Sequence, residues 1–327
     1  MKKSTFMLGV MSLAVLGFVS CNKNNEKAAA FTATTTQFEV VESDDKAYMD
    51  ANCNVYFEQG DVVRMFNISE TPSESECADY AAKSTGTHVT FEAIDDMTLE
   101  SKGSFYAFFP GGNVTANLNN ENRATFTLSP VQRYQEVKGT PSFSKEDMYM
   151  ASRADNVSNI DNVDFQFENI CGLLRLKYYN TGANKTIRSI TVKDRHFNLS
   201  GDVNLKIDAV TTDGLVALCQ AYDPANPEAT AQAISDYKQS IGYNVTNADD
   251  KITLDFGENG YTLSSNASNP SVFYFVLRPL ALAHGYYVIV TDMNGEEYTV
   301  VNSTSNKKIM PNTIKSIAAK DLNQWLH

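Results

Sequence analysis

Cys21 is the residue whose neighbours prescribe a reaction. It follows Leu16-Gly17-Phe18-Val19-Ser20, with Lys2 and Lys3 at the start and an apolar run from Phe6 to Phe18, which is the layout of a lipoprotein leader. In that layout the Cys21 thiol takes diacylglycerol, the leader is removed, and the freed amine takes a third acyl chain. Burying acyl methylenes contributes about 0.8 kcal/mol each, which holds a protein on a leaflet without a spanning helix. The apolar run is shorter than the ~20 residues that a span requires. Phe18 stands where such leaders commonly carry leucine.

The other reactive side chains are dispersed. Cys53, Cys77, Cys171 and Cys219 form an even set in a compartment that permits disulfides, and three connectivities are open to them. Cys53 with Cys77 is the candidate pair; four reduced, buried thiols are the alternative. No Cys-x-x-Cys or His-x-x-His spacing occurs, so no metal is expected. His88, His196, His284 and His327 are scattered, and Asp44-Asp45, Asp95-Asp96 and Asp249-Asp250 read as solvated loops. Asp292-Met293-Asn294-Gly295 lacks the terminal Glu spacing of a calcium loop and reads as a hairpin turn. There is no Gly-x-Ser-x-Gly elbow, phosphate loop, dinucleotide fingerprint or His-Glu-x-x-His, so neither an enzyme nor a cofactor is expected. A net charge of -12 repels phosphates and excludes nucleic acid as a partner.

The elements that must position these residues are strands. Sixteen Tyr and eighteen Phe against one Trp favour pleated, half-buried surfaces. Phe31 to Val41 alternates in part, and strands follow at Val55 to Phe57, Val62 to Phe66, His88 to Phe91, Met97 to Glu100, Phe105 to Phe109 and Ala124 to Leu128. A long polar connection runs from Ser129 towards Met148. Past Asp161 the strands resume at Phe165, Leu173 to Tyr179, Ile187 to Lys193, Lys251 to Phe256, Val272 to Arg278, Tyr286 to Thr291 and Glu296 to Val301. Two short helices are expected: one from the capping box Thr71-Pro72-Ser73-Glu74 to about Lys83, one from Asn226-Pro227-Glu228 to about Ser240. The chain divides into a leader (1–21), a polar tether (22–30) and two β units (31–165 and 166–327). Aromatic pairs Tyr178-Tyr179 and Tyr286-Tyr287 offer a second functional reading, a lipid-anchored surface protein that stacks glycan rings. Neighbours on a strand face opposite sides, so one of each pair belongs to a core.

In chain order, the leader to Cys21, Tyr106-Ala107-Phe108-Phe109-Pro110, Pro130-Val131-Gln132, Met148-Tyr149-Met150-Ala151, Phe165 to Lys177, Leu199-Ser200-Gly201-Asp202, Phe275-Val276-Leu277-Arg278-Pro279, Asp292 to Tyr298 and Pro311-Asn312-Thr313 resemble the fimbrillin (major/minor pilin-like) lipoproteins of the Bacteroidales. The resemblance spans nearly the whole mature chain. It implies an all-β fold of two end-to-end β-sandwich domains of transthyretin-like topology, and a fimbrial subunit lipid-anchored in the outer membrane at the cell surface. Its partners would be other fimbrial subunits and a host or bacterial surface glycan or protein.

In that family a protease removes the first strand and a donor strand from the next subunit replaces it. Here the first-strand candidate is Phe31 to Val41, with Phe31, Phe38 and Val40 as its apolar contacts. The donor candidate is residues 309–326, with Ile309, Ile314, Ile317, Leu322, Trp325 and Leu326. The alternative for that tail is a fixed last strand of its own domain. No arginine precedes Arg64, so an arginine-specific protease has nothing to cut in the first segment and Lys46 is the nearest substitute. Stalk, anchor and tip roles all fit the residues.

Overall fold

Apolar side chains at every second position set the architecture, because that period places them on one face of a strand. The computed structural model describes residues 30–41, 55–67, 77–94, 99–100, 102–117, 123–137, 139–182, 184–195, 198–206, 220, 244–279, 281–283, 285–305 and 307–326. Within them β1 (Ala30–Thr35), β2 (Glu39–Val41), β3 (Val62–Asn67), β4 (Cys77–Ala82), β5 (His88–Ala93), β6 (Gly103–Phe109), β7 (Val114–Asn117), β8 (Arg123–Leu128), β9 (Val131–Arg133), β10 (Gln135–Val137), β11 (Thr140–Ser142), β12 (Met150–Val157) and β13 (Asp164–Asn169) come first. There follow β14 (Gly172–Tyr179), β15 (Thr186–Asp194), β16 (Ser200–Lys206), β17 (Asn244–Asp249), β18 (Lys251–Asp255), β19 (Tyr261–Thr262), β20 (Ser271–Leu277), β21 (Tyr286–Asp292), β22 (Glu297–Ser303), β23 (Thr313–Ser316) and β24 (Lys320–Asp321). The fold is all-β, as expected, with short 3-10 turns at Gly111–Asn113, Lys145–Asp147 and Ile160–Asn162.

The first unit closes on itself. Its strands run β1-β13-β12-β6-β3-β4-β5, and β5 returns to β1, so the sheet that a sandwich would leave open at its edges forms a barrel here. Closure removes the free edges through which strands aggregate. The alternating residues of β1, β4, β5 and β13 point inward and make an aromatic core. Phe31 lies 5.1 Å from Tyr80 and Phe165 and 5.4 Å from Phe91, ring centre to ring centre. Phe57 meets Phe91, Phe109 and Phe167 edge-on at 5.0, 5.4 and 5.5 Å. Such pairs contribute about 0.5–1.5 kcal/mol each beyond the area they bury.

The other sheets sandwich a central one. β2-β23-β14-β20, with β24 also on β14, is covered on both faces. Leu173, Tyr274 and Val276 continue the barrel's core, while Leu174, Leu176, Phe273 and Phe275 face a second core. Cover on both faces explains why β14 is buried from Gly172 through Tyr178, Arg175 and Lys177 included, instead of alternating between buried and exposed. The sheet β22-β21-β15-β18-β9 supplies the far wall of the second core with Ile190, Val192, Val288 and Val290. Residues Asp292 to Gly295 do form the β21–β22 turn: Gly295 N bonds Asp292 O at 3.1 Å, and Gly295 takes a φ of 89° that its missing Cβ allows.

The structure departs from the sequence reading at four places. The helix expected to run to about Lys83 is a strand from Cys77 onward. Ala78, Tyr80 and Ala82 are buried at period two, and pairing to β3 and β5 overrides the capping signal. The connection from Ser129 to Met148 contains β9, β10 and β11. Gln132 of β9 is buried, and its amide bonds both Val276 O (2.8 Å) and Val276 N (3.0 Å), acting as one more strand partner for β20. β13 lies whole in the barrel across the 165/166 division. Finally, β2, β8 and β9 leave the first half to pair with strands of the second, and β7 joins that sheet through β8. The helix expected from Asn226 to about Ser240 lies outside the described residues.

Candidate functional site

β1 is a stave placed between strands distant in sequence. It pairs parallel to β13 through Thr32 to Thr35 and antiparallel to β5 through Ala30 to Thr34. Phe31 and Ala33 are buried, and Thr35 Oγ1 donates to Val55 O at 2.6 Å. On the outer face Thr34 Oγ1 donates to Asp164 Oδ2 at 2.9 Å and lies 2.7 Å from His88 Nδ1, which links the three strands. Without β1, the inner edges of β5 and β13 and the apolar slot over Tyr80, Phe91 and Phe165 would face water.

The chain then crosses from barrel to central sheet. Phe38 is buried at 6.0 Å from Phe143. β2 pairs parallel to β23, with Val40 opposite Ile314 in register. The segment expected as one strand is thus two, split where it changes sheets, and it touches both units.

The tail expected as donor is docked on its own chain. Ile309, Ile314, Leu322 and Leu326 are buried; Ile317 and Trp325 are half-buried against the second core. β23 and β24 both pair parallel to β14. Arg175 Nε donates to Ser316 Oγ at 2.6 Å, and Lys320 bonds Val300 O while its ammonium sits 4.3 Å from the centre of the Trp325 ring. Burial lowers the Lys320 ammonium below its usual range. This placement matches the alternative of a last strand held in its own domain, and a donor must leave it.

Gly172 permits the docking. A Cβ there would lie 2.2 Å from Met310 O and 2.6 Å from Ile309 Cγ2, both on the tail. Gly172→Ala is therefore expected to push the tail off β14 and to lower stability by about 1–3 kcal/mol, the range for overpacking. Urea titration measures the loss, and amide exchange at Ile309 to Ile314 locates it.

Asp321 makes the tail's end sensitive to acid. Partial burial opposes its ionisation, but hydrogen bonds from Thr181 Oγ1 (2.6 Å), Asn323 N (3.0 Å) and Thr181 N (3.2 Å) outweigh it and hold the carboxyl below its usual range. A folded pKa below the unfolded value of about 3.9 gives stability above that pH that disappears as pH falls through the folded value. Exchange at Leu322 and Asn323, corrected for intrinsic rate, should therefore rise below about pH 4. In Asp321→Asn it should not change across that window.

The remaining candidates are spread out. Cys21, Cys53, Cys219, His196, His284 and His327 lie outside the described residues. Cys77 opens β4 half-buried, and Cys171 is a buried thiol pushed up to about 12 by desolvation. Among the described residues no three His, Cys, Asp or Glu are grouped to hold a metal ion. Tyr178 and Tyr286 are core residues, the latter pushed up to about 12 by burial. Tyr179 and Tyr287 are half-buried, and the Arg195 guanidinium covers the Tyr287 ring at 4.3 Å. Sequence reasoning missed Asn312. Its left-handed φ of 53° marks a backbone position that favours Gly, Asn and Asp, and Pro311-Asn312 was the available signal.

No family model matches the chain, and no curated protein matches it. Solved structures do. A "putative cell adhesion protein" from Bacteroides uniformis ATCC 8492 is 12% identical, with 91% of this chain and 94% of that one covered at a TM-score of 0.50. Another with the same description, from Bacteroides ovatus ATCC 8483, is 13% identical over 90% of this chain and 93% of that one at 0.48. A fimbrial protein from Bacteroides ovatus ATCC 8483 is 13% identical over 90% of this chain and 50% of its own length, at 0.37. In fold, the chain is similar over nearly its full length to a protein of Bacteroides uniformis described as a "putative cell adhesion protein".

Proposed function

We propose that this protein is a fimbrial subunit of the cell surface, anchored in the outer membrane through Cys21 and assembled by strand addition. The observation that carries the reading is the position of β1. It is the first strand among the described residues, it closes a barrel between β5 and β13, and one cut beyond Val41 severs it from the rest of the chain. Each buried backbone group that loses its partner costs about 1–3 kcal/mol, so the emptied slot demands a new strand. The apolar tail 309–326 of another copy supplies one, by the same edge pairing that binds peptides to open sheets. A contact in which the tail of each copy enters the barrel of the next does not close on itself, so a filament grows. Lys46 lies in the stretch where the cut is needed. A copy that escapes cutting keeps its lipid and serves as the anchor; other subunits and a surface glycan or protein are the partners.

The test is a specific protease site placed between residues 42 and 54. Cut protein, separated from residues 1–41, should give a ladder of polymers on a gel run without boiling, and uncut protein should run as monomer. Cut protein that remains monomeric at high concentration, or uncut monomer retained on a glycan array through Tyr179 and Tyr287, overturns the reading.

A further inference from the structure

Strand addition, as proposed above, needs an empty slot and a free tail in the same molecule, and the structure ties the two together at Asn312. The Asn312 side chain donates from Nδ2 to Gln37 O at 3.1 Å; its Oδ1 accepts from Asn169 Nδ2 at 2.6 Å and from Thr36 Oγ1 at 3.4 Å. Its backbone carbonyl accepts from Glu39 N at 3.0 Å, and its own N–H donates to Cys171 O at 3.1 Å. One residue thus joins the tail, the segment between β1 and β2, and the junction between barrel and central sheet. Immediately beyond it, β2 covers the outer edge of β23.

We propose that the N-terminal segment is the lock on the C-terminal tail, so that a single cut both empties the barrel slot and releases the strand that fills the slot of the next copy. This inference rests on the strand-addition reading and adds its regulation. In the uncut chain β23 is flanked on both sides, by β2 and β14. When residues 30–41 depart, β23 becomes an edge strand held by three register pairs, Leu173–Ile314, Leu174–Lys315 and Arg175–Ser316. Asn312 also loses its bonds to Thr36, Gln37 and Glu39. An unpaired edge and the bonds lost at its start both favour departure of the tail. The uncut precursor is thereby protected twice against assembly before export: its slot is full and its donor is held.

Hydrogen exchange read by mass spectrometry tests this. Asn312→Gly keeps the left-handed φ and deletes the amide; in the uncut chain it should speed exchange at Thr313 to Ser316 about tenfold, the loss of about one net hydrogen bond, and leave β5 unchanged. Asn247→Gly, which replaces an exposed Asn of similar φ (50°) on β17, a strand that pairs with β16 and not with the tail, is the control and should have no effect there. In cut protein freed of residues 1–41 and kept monomeric by dilution, exchange at Thr313 to Ser316 should rise about a hundredfold or more. Equal protection of the tail in cut and uncut monomers overturns the lock, even if concentrated cut protein forms a ladder, which leaves strand addition standing. A freed tail with no ladder has the opposite meaning: the lock holds and strand addition fails.

Discussion

Phe57→Ala is expected to lower the unfolding free energy by about 3–5 kcal/mol, the range for truncating a buried aromatic. The site cannot collapse easily to fill the gap. Phe57 is fully buried and meets Phe91 of β5, Phe109 of β6 and Phe167 of β13 edge-on, so its ring ties together strands from around the barrel. Its backbone makes a single bridge, to Gly86, so little ladder is available to compensate. Urea denaturation followed by circular dichroism measures the change. A loss below about 1 kcal/mol, the level of a surface substitution, would contradict the aromatic barrel core.

Ile314→Asp is expected to cost about as much locally, because an uncompensated buried charge destabilises by about 3–5 kcal/mol. Ile314 is fully buried between β2 and β14 in the barrel-side core. The docked tail has a way out that a core residue lacks: it can detach and carry the carboxylate to water. Amide exchange should therefore rise at Thr313 to Ser316 while the barrel keeps its stability. The same carboxylate makes the tail a poor donor, so cut Ile314→Asp protein should form no ladder, although its slot still accepts the tail of an unsubstituted copy. Undiminished polymerisation of this variant by itself would remove residues 309–326 from the donor role.

Much of the fold was legible because alternation is a local signal. Phe31, Ala33, Phe165 and Phe167 declare their strands at period two, and Asp292 to Gly295 declares its hairpin. Partners are not local. Nothing in Phe31 to Val41 says that its two ends enter different sheets, since both ends satisfy the same pattern. The strand at Cys77 was hidden because Thr71 to Glu74 carries good helix-start chemistry, and pairing with β3 and β5 decides otherwise. Gln132 looked like loop polarity; its amide is buried because it completes the bonding of Val276. The tail's apolar residues could be named from sequence, whereas their dependence on Asn312 and β2 required the register. A lone Asn after Pro311 becomes informative only when its partners from Thr36 to Glu39 and Asn169 are in place.

Transfer of an apolar strand between copies can be observed directly. A photo-crosslinking residue at position 317, on the half-buried tail, is introduced into protein labelled with heavy nitrogen, which is cut, mixed with unlabelled cut protein, polymerised and irradiated. The account predicts crosslinked peptides that join the heavy tail to light His88–Ala93 or Asp164–Asn169, the two strands that flank β1 in the uncut chain. Crosslinks confined to heavy tail and heavy Gly172–Tyr179, the site where the tail rests in its own chain, would contradict it.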